Sequence, residues 1–177
     1  MAKLYLCENN ISSIDNLILL NQQNINKLYF SFNKIKDISV LTKVKFENLQ
    51  RLYLDNNLIN DISSLDKVNF PFLTILSLHH NQIKNISVFE KTNFKKLESL
   101  SLQDNNIDDI KVFKKVQFPC LKSLELSNND ISDIDCFSNI DQFKLEILHL
   151  NGNDKIDLKK YSKLISKLRE KISDFIL

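Results

Sequence analysis

Ser77, His79, His80 and Asp55 are the side chains of this sequence whose types and spacing come nearest to a reactive site. Adjacent histidines suggest metal ligation, but a zinc ion needs three or more protein ligands in reach, and the third histidine, His149, stands far along the chain. Ser77, His79 and Asp55 could be read as nucleophile, base and orienting carboxylate. Two residues apart on a strand is about 7 Å, too far for proton transfer, and no oxyanion donor accompanies them. These residues therefore read as recognition groups, and the chain is expected to be no enzyme and to carry no metal and no cofactor.

Other chemistry is argued against by what the chain lacks. Gly152 is the single glycine in 177 residues, whereas phosphate-cradling loops and dinucleotide fingerprints need several glycines where backbone meets ligand. A net charge of +2 gives no strongly basic face for nucleic acid. No run of about eighteen uncharged apolar residues is present, so no spanning helix and no membrane partner are expected. Cys7, Cys120 and Cys136 make an odd count without metal-type pair spacing. That usage fits a reducing compartment, cytoplasmic or nuclear, and Met1 to Asn10 shows no secretory leader, though one could precede Met1.

What positions these residues is a repeat. The sequence matches itself at a spacing of 24 residues nearly from end to end, giving seven copies. Their apolar pairs are Leu4 and Leu6, Leu28 and Phe30, Leu52 and Leu54, Leu76 and Leu78, Leu100 and Leu102, Leu124 and Leu126, and Leu148 and Leu150. Three residues after each pair stands an asparagine: Asn9, Asn33, Asn57, Asn81, Asn105, Asn129 and Asn153. Isoleucines follow, as in Ile35 and Ile38, and the seventh copy slips by one at Ile156. A Phe closes each middle repeat: Phe46, Phe70, Phe94 and Phe118.

The segment Leu49-Gln50-Arg51-Leu52-Tyr53-Leu54-Asp55-Asn56-Asn57-Leu58-Ile59 meets the leucine-rich-repeat signature almost letter for letter, and the chain resembles that family over most of its length. The N-x-I-x-x-I continuation is similar to the short repeats of the cytoplasmic phosphatase-one regulator type. The resemblance implies a right-handed α/β solenoid, or horseshoe, with a concave parallel sheet and short helical turns on the convex side. It also implies a non-enzymatic scaffold that binds another protein, as a regulatory or targeting subunit.

The residues support the same architecture independently. Arg51-Leu52-Tyr53-Leu54-Asp55 alternates with period two, so the leucines face inward and Arg51, Tyr53 and Asp55 outward. The asparagine amide can satisfy backbone groups in the turn that leaves the strand, and seven such amides would stack as a ladder. Asp15, Ser39, Ser63, Ser87 and Asp135 share one repeat position and are expected to cap a short helical turn, with Lys111 breaking the rule. No single copy buries enough to offset the entropy of ordering its backbone, so stability must be shared between neighbours.

Residues 1–156 thus read as seven repeats and 157–177 as a C-terminal capping helix, with Leu158, Tyr161, Leu164, Ile165, Leu168, Ile172, Phe175 and Ile176 apolar at helical intervals. At the other end Leu4 to Leu6 would form an uncovered edge strand, so that either the chain is a piece of a longer protein or that edge meets something.

Equivalent strand positions about 4.8 Å apart turn repeat positions into columns. One reads Tyr5, Tyr29, Tyr53, Ser77, Ser101, Glu125, His149, and its flank reads Lys3, Lys27, Arg51, Ile75, Ser99, Ser123, Ile147. On this spacing His149 lies about 14 Å from the His79–His80 pair, which leaves the pair without a third ligand. The first half of the face is aromatic and basic and the second half acidic. Tyrosine also suits a strand for packing alone, but that does not explain why the aromatics stop after Tyr53. The expected contact residues are Tyr5, Tyr29, Phe32, Arg51, Tyr53, Asp55, Ile75, His79 and His80. The alternative is a segment of a longer structural or adhesive repeat protein.

Overall fold

In the computed structural model, which describes residues 2–177, the apolar pair of every repeat after the first is wholly buried, from Leu28 and Phe30 to Leu148 and Leu150. The alternation that buries them puts the first residue of each pair on a short strand and the second just past its end: β1 (Ala2–Tyr5), β2 (Ile25–Tyr29), β3 (Arg51–Tyr53), β4 (Ile75–Ser77), β5 (Ser99–Ser101), β6 (Ser123–Glu125) and β7 (Ile147–His149). All pair in parallel, in sequence order, within one open sheet. The 24-residue period sets the register, so Leu28 lies opposite Leu52 and Leu52 opposite Leu76. Like residues therefore stack on like residues along the whole solenoid.

The return path is made of 3₁₀ turns, such as Ser39–Thr42, Ser63–Asp66 and Lys111–Lys114, with no long helix between repeats. Phe46, Phe70 and Phe94 are buried between these turns and the sheet, and a second row, Phe89, Phe113 and Phe137, is wholly buried beside them. Neighbouring rings lie in contact, with centroids 6.4 Å apart for Phe46 and Phe70 and 6.3 Å for Phe113 and Phe137. Each ring fills the space between two coils, so its burial belongs to both.

The expected asparagine ladder forms from Asn33 onward, but the Asn9 amide, expected as its seventh member, turns instead to the nearby Cys7 carbonyl. The Asn57 amide donates to the carbonyls of Leu54 in its own repeat (3.0 Å) and Phe30 in the preceding one (3.0 Å). Its oxygen accepts the Ile35 N–H at 3.0 Å. Asn81, Asn105, Asn129 and Asn153 repeat the arrangement one coil further on. Each asparagine thus satisfies backbone groups on both sides of a coil boundary, which ties neighbours together as well as closing the turn.

The expected caps are corrected. Ser39, Ser63 and Asp135 begin the 3₁₀ turns but do not cap them through their side chains. The cap comes from two residues earlier: Asp37, Asp61, Asn85, Asp109 and Asp133 accept the N–H of Ser39, Ser63, Ser87, Lys111 and Asp135 at 2.7 to 2.9 Å. This is an Asx turn. It also explains why Lys111 is tolerated, since its own side chain has no capping to do.

The donated N–H of Ser39 holds the Asp37 carboxyl below its ordinary value, and that of Asp135 does the same for Asp133, where burial works in the opposite direction. A carboxyl depressed in the folded state stabilises the fold above its unfolded value of about 3.9, and the gain is lost as pH falls through the lower folded value. Asp37→Asn with Asp133→Asn is therefore expected to lower stability modestly at neutral pH, where the ionised carboxyls contribute, and to flatten the loss of stability below about pH 4. Urea denaturation of both proteins from pH 7 to pH 2.5 checks this, and parallel acid limbs would count against it.

The C-terminal segment differs from the helix expected over 157–177. Helix α1 covers Ser162–Lys171 only, with Ile165 and Leu168 buried. Asp174–Ile176 then forms an eighth strand, β8, parallel to β7, with Phe175 opposite Leu148. Phe175 and Ile176 fall on the helical period by spacing. The unpaired edge of β7 offers them backbone partners, and Phe175 packs against the end of the core. Lys167 and Lys171 hold α1 against the preceding repeat through Asp141, at 3.2 and 3.0 Å.

Candidate functional site

The outward side chains of β1 to β4 form the ordered face that the columns imply. Tyr5, Tyr29 and Tyr53 stack ring on ring, with centroids 4.4 and 4.8 Å apart and planes within 12° of parallel. Strand spacing imposes this distance, which is also close to ideal for offset aromatic stacking. Tyr5 is 61% exposed, and burial, followed by the adjacent Tyr5 hydroxyl, pushes the Tyr29 phenol above its ordinary value of 10.0. Two positions earlier on the same strands, and hence on the same face, stand Lys3, Lys27 and Arg51, with Ile75 continuing their row.

Just past the strands the backbone turns through a left-handed conformation at one position shared by all the repeats, with Asn10 a second such residue in the first. Glu8, Phe32, Asn56, His80, Asp104, Asn128 and Gly152 all have φ between 50° and 71°. Asn, Asp and Gly visit this region at little cost, and at Gly152 a Cβ would also collide with the Asn128 amide. Phe32 has no such excuse. It is 56% exposed just past the end of β2, so packing of its ring does not hold it there. The 24-residue spacing puts Phe32 at the same repeat position as these residues but does not show that the position is strained.

His79 and His80 do meet, with ring centroids 5.2 Å apart, because β4 has ended and the left-handed turn at His80 brings both side chains to one side. Each faces a carboxylate: His79 Nε2 lies 3.7 Å from Asp55 Oδ2, and His80 Nε2 lies 3.4 Å from Asp104 Oδ2. The Ser31 hydroxyl donates to Asp55 at 2.9 Å and the Asn128 amide to Asp104 at 2.9 Å. Ser31, Asp104 and Asn128 thus hold the site together, residues that sequence reasoning did not single out and that only the 24-residue spacing could have placed beside the histidines. Asp55 itself is 6% exposed, so it positions His79 rather than offering a surface.

The same geometry bears on catalysis and metal. Ser77 is buried, with 4% exposure, and stands on a strand while His79 has left it. Among the described residues no group of three His, Cys, Asp or Glu side chains is arranged to hold a metal ion. Cys136 is buried, and that burial pushes its thiol up to about 12, which makes it an inert apolar filler. No helix among the described residues is long and apolar enough to cross a membrane.

A family model described as Leucine Rich repeats (2 copies) matches residues 23–67 and 71–115, and one described as Leucine Rich repeat matches 119–137. The chain belongs to the leucine-rich-repeat family. Such repeats commonly serve protein–protein interaction and are generally not catalytic. No curated protein sequence matches the chain. Among solved leucine-rich-repeat structures it is similar to internalin C2 from Listeria monocytogenes, at 28% identity and a TM-score of 0.58 over 82% of this chain and 70% of that one. It is also similar in fold to the Arabidopsis receptor kinase HAESA, solved in complex with a peptide hormone and a co-receptor. There the identity is 24% and the TM-score 0.65, over 85% of this chain but only 26% of the receptor kinase.

Proposed function

We propose that the chain is a non-enzymatic scaffold that binds a protein partner on the concave sheet face of β1 to β4, as a regulatory or targeting subunit. The observation that carries this reading is the stacked ladder of Tyr5, Tyr29 and Tyr53, with the exposed ring of Phe32 on left-handed backbone just past β2. Aromatic and Arg side chains on a rigid frame are the usual anchors of protein interfaces, and rigidity lowers the entropy lost on binding. Arg51, Ile75, His79 and His80 complete the surface, and Asp55 acts through His79. The fold imposes positive φ at this position of every coil; an exposed Phe kept there in place of Asn fits a functional constraint better than a packing one.

The test separates those two constraints. Phe32→Asn removes the ring and places at this position a residue that accepts φ near 57°. Stability is expected to rise by about 1 kcal/mol, or a melting temperature about 3 °C higher. Capture of the partner from native extract is expected to weaken about tenfold, as for loss of an interface anchor. A variant that is more stable and captures the same protein equally well would move the interface elsewhere.

A further inference from the structure

The charges beside the tyrosine ladder carry information about what lies on it. The parallel register places Lys3 directly opposite Lys27, and Lys27 directly opposite Arg51. Like charges at facing strand positions about 4.8 Å apart repel and destabilise a sheet. Lys27 and Arg51 are also half-buried, which weakens the screening by water that would soften the repulsion. Among the described residues none of the three pairs with a carboxylate, although Lys84, Lys115 and Lys155 elsewhere each reach an acid at 3.0, 3.2 and 2.6 Å. The same row continues as Ile75, Ser99, Ser123 and Ile147, so the fold itself does not call for cations there.

Further along the face the sign changes. Glu125 stands on β6 in the tyrosine row, with Asp104 one coil before it at the strand ends and Asp174 on β8. A long polyanion crossing the sheet would run from the cations onto these carboxylates. A short acidic polypeptide would not. Resting on the reading that β1 to β4 form the binding face, we infer that the partner presents an acidic peptide segment. Its carboxylates neutralise Lys3, Lys27 and Arg51, and an apolar or aromatic side chain packs on the tyrosine ladder toward Phe32.

Selection of a random twelve-residue peptide library on the full chain tests this. The enriched peptides are expected to be rich in Asp and Glu with at least one aromatic or large aliphatic residue. They should lose tenfold or more in affinity toward Lys27→Glu with Arg51→Glu, and bind more weakly as salt rises. Selection on that charge-reversed variant should instead enrich Lys and Arg, a change of sign that a misfolded protein would not give. Thermal melts of both proteins accompany the selection. Peptides that need Tyr29 and Tyr53 but show no acidic bias overturn the inference and leave the binding face standing. Acidic or other peptides held equally by Tyr29→Ala with Tyr53→Ala overturn the face itself. No enrichment, or tighter binding of a single-stranded DNA oligonucleotide or of phosphatidylserine vesicles than of any selected peptide, also overturns the inference.

Discussion

Asn81→Ala is expected to lower the stability of the whole chain by about 3 to 5 kcal/mol, far more than its small change in volume would suggest. The Asn81 amide donates to the Leu54 and Leu78 carbonyls, both at 3.0 Å, and its oxygen accepts the Ile59 N–H at 2.9 Å. Those groups are buried and lie on both sides of one coil boundary. Each one left without a partner costs about 1 to 3 kcal/mol. Because every coil draws its stability from its neighbours, weakening one central boundary should loosen both halves of the solenoid. Asn9→Ala serves as the control, since among the described residues the exposed Asn9 amide donates only to the nearby Cys7 carbonyl, at 2.6 Å. That change is expected to stay within about 0.5 kcal/mol of the parent. Urea denaturation of the two variants decides it, and equal midpoints would show that the ladder does not bind coil to coil.

Tyr29→Ala with Tyr53→Ala is expected to abolish partner capture while leaving the fold intact. The two rings stack on each other and on Tyr5, and each stacked pair contributes about 0.5 to 1.5 kcal/mol beyond its buried area. Their removal should therefore cost about 1 to 3 kcal/mol of stability. For comparison, Leu52→Ala beneath them, at a wholly buried position, should cost about 2 to 5 kcal/mol. Loss of two central anchors of an interface usually removes detectable binding. Capture assays with melts of the same samples read both quantities. Retained capture by a folded double variant would place the partner on another surface.

The fold was legible because its signal is redundant. A period repeated in register, with inward leucines and one asparagine per coil, leaves a single way to bury the apolar set, and Leu28 to Leu148 are buried accordingly. The caps lie two residues before the expected position because Ser39, Ser63 and Ser87, which look like capping residues, stand at the first position of each turn. The carboxylates of Asp37, Asp61 and Asp109 are the ones within reach of the free N–H. The column Ser13, Asp37, Asp61, Asn85, Asp109, Asp133 carries that signal more uniformly than the column of Asp15, Ser39, Ser63, Ser87, Lys111 and Asp135. Strand β8 was hidden because Asp174–Ile176 is too short for alternation to compete with the helical period before it.

The candidate face was legible in its columns and illegible in its backbone. Stacking of the tyrosines follows from the register alone. The left-handed turn at Phe32 and His80 does not, because chemically unlike residues occupy that column and only Asn56, Asp104, Asn128 and Gly152 hint at positive φ. That conformation lets the next residue, the ladder asparagine, turn its amide inward. The ladder therefore sets the strain at Phe32 and brings His79 and His80 together. Burial of Asp55 is likewise a property of the packed coils, since alternation assigns it only a direction.

Hydroxyl-radical footprinting of the chain, free and with its captured partner, tests most directly whether the β1 to β4 face is the binding surface. Tyr5, Tyr29, Phe32 and Tyr53 are expected to be protected in the complex. Phe72 in the turn before β4 and Leu158 beyond the last repeat, 42% and 60% exposed, should react as they do in the free chain. Protection of Phe72 or Leu158 with unchanged modification of the tyrosines would contradict the proposed binding face.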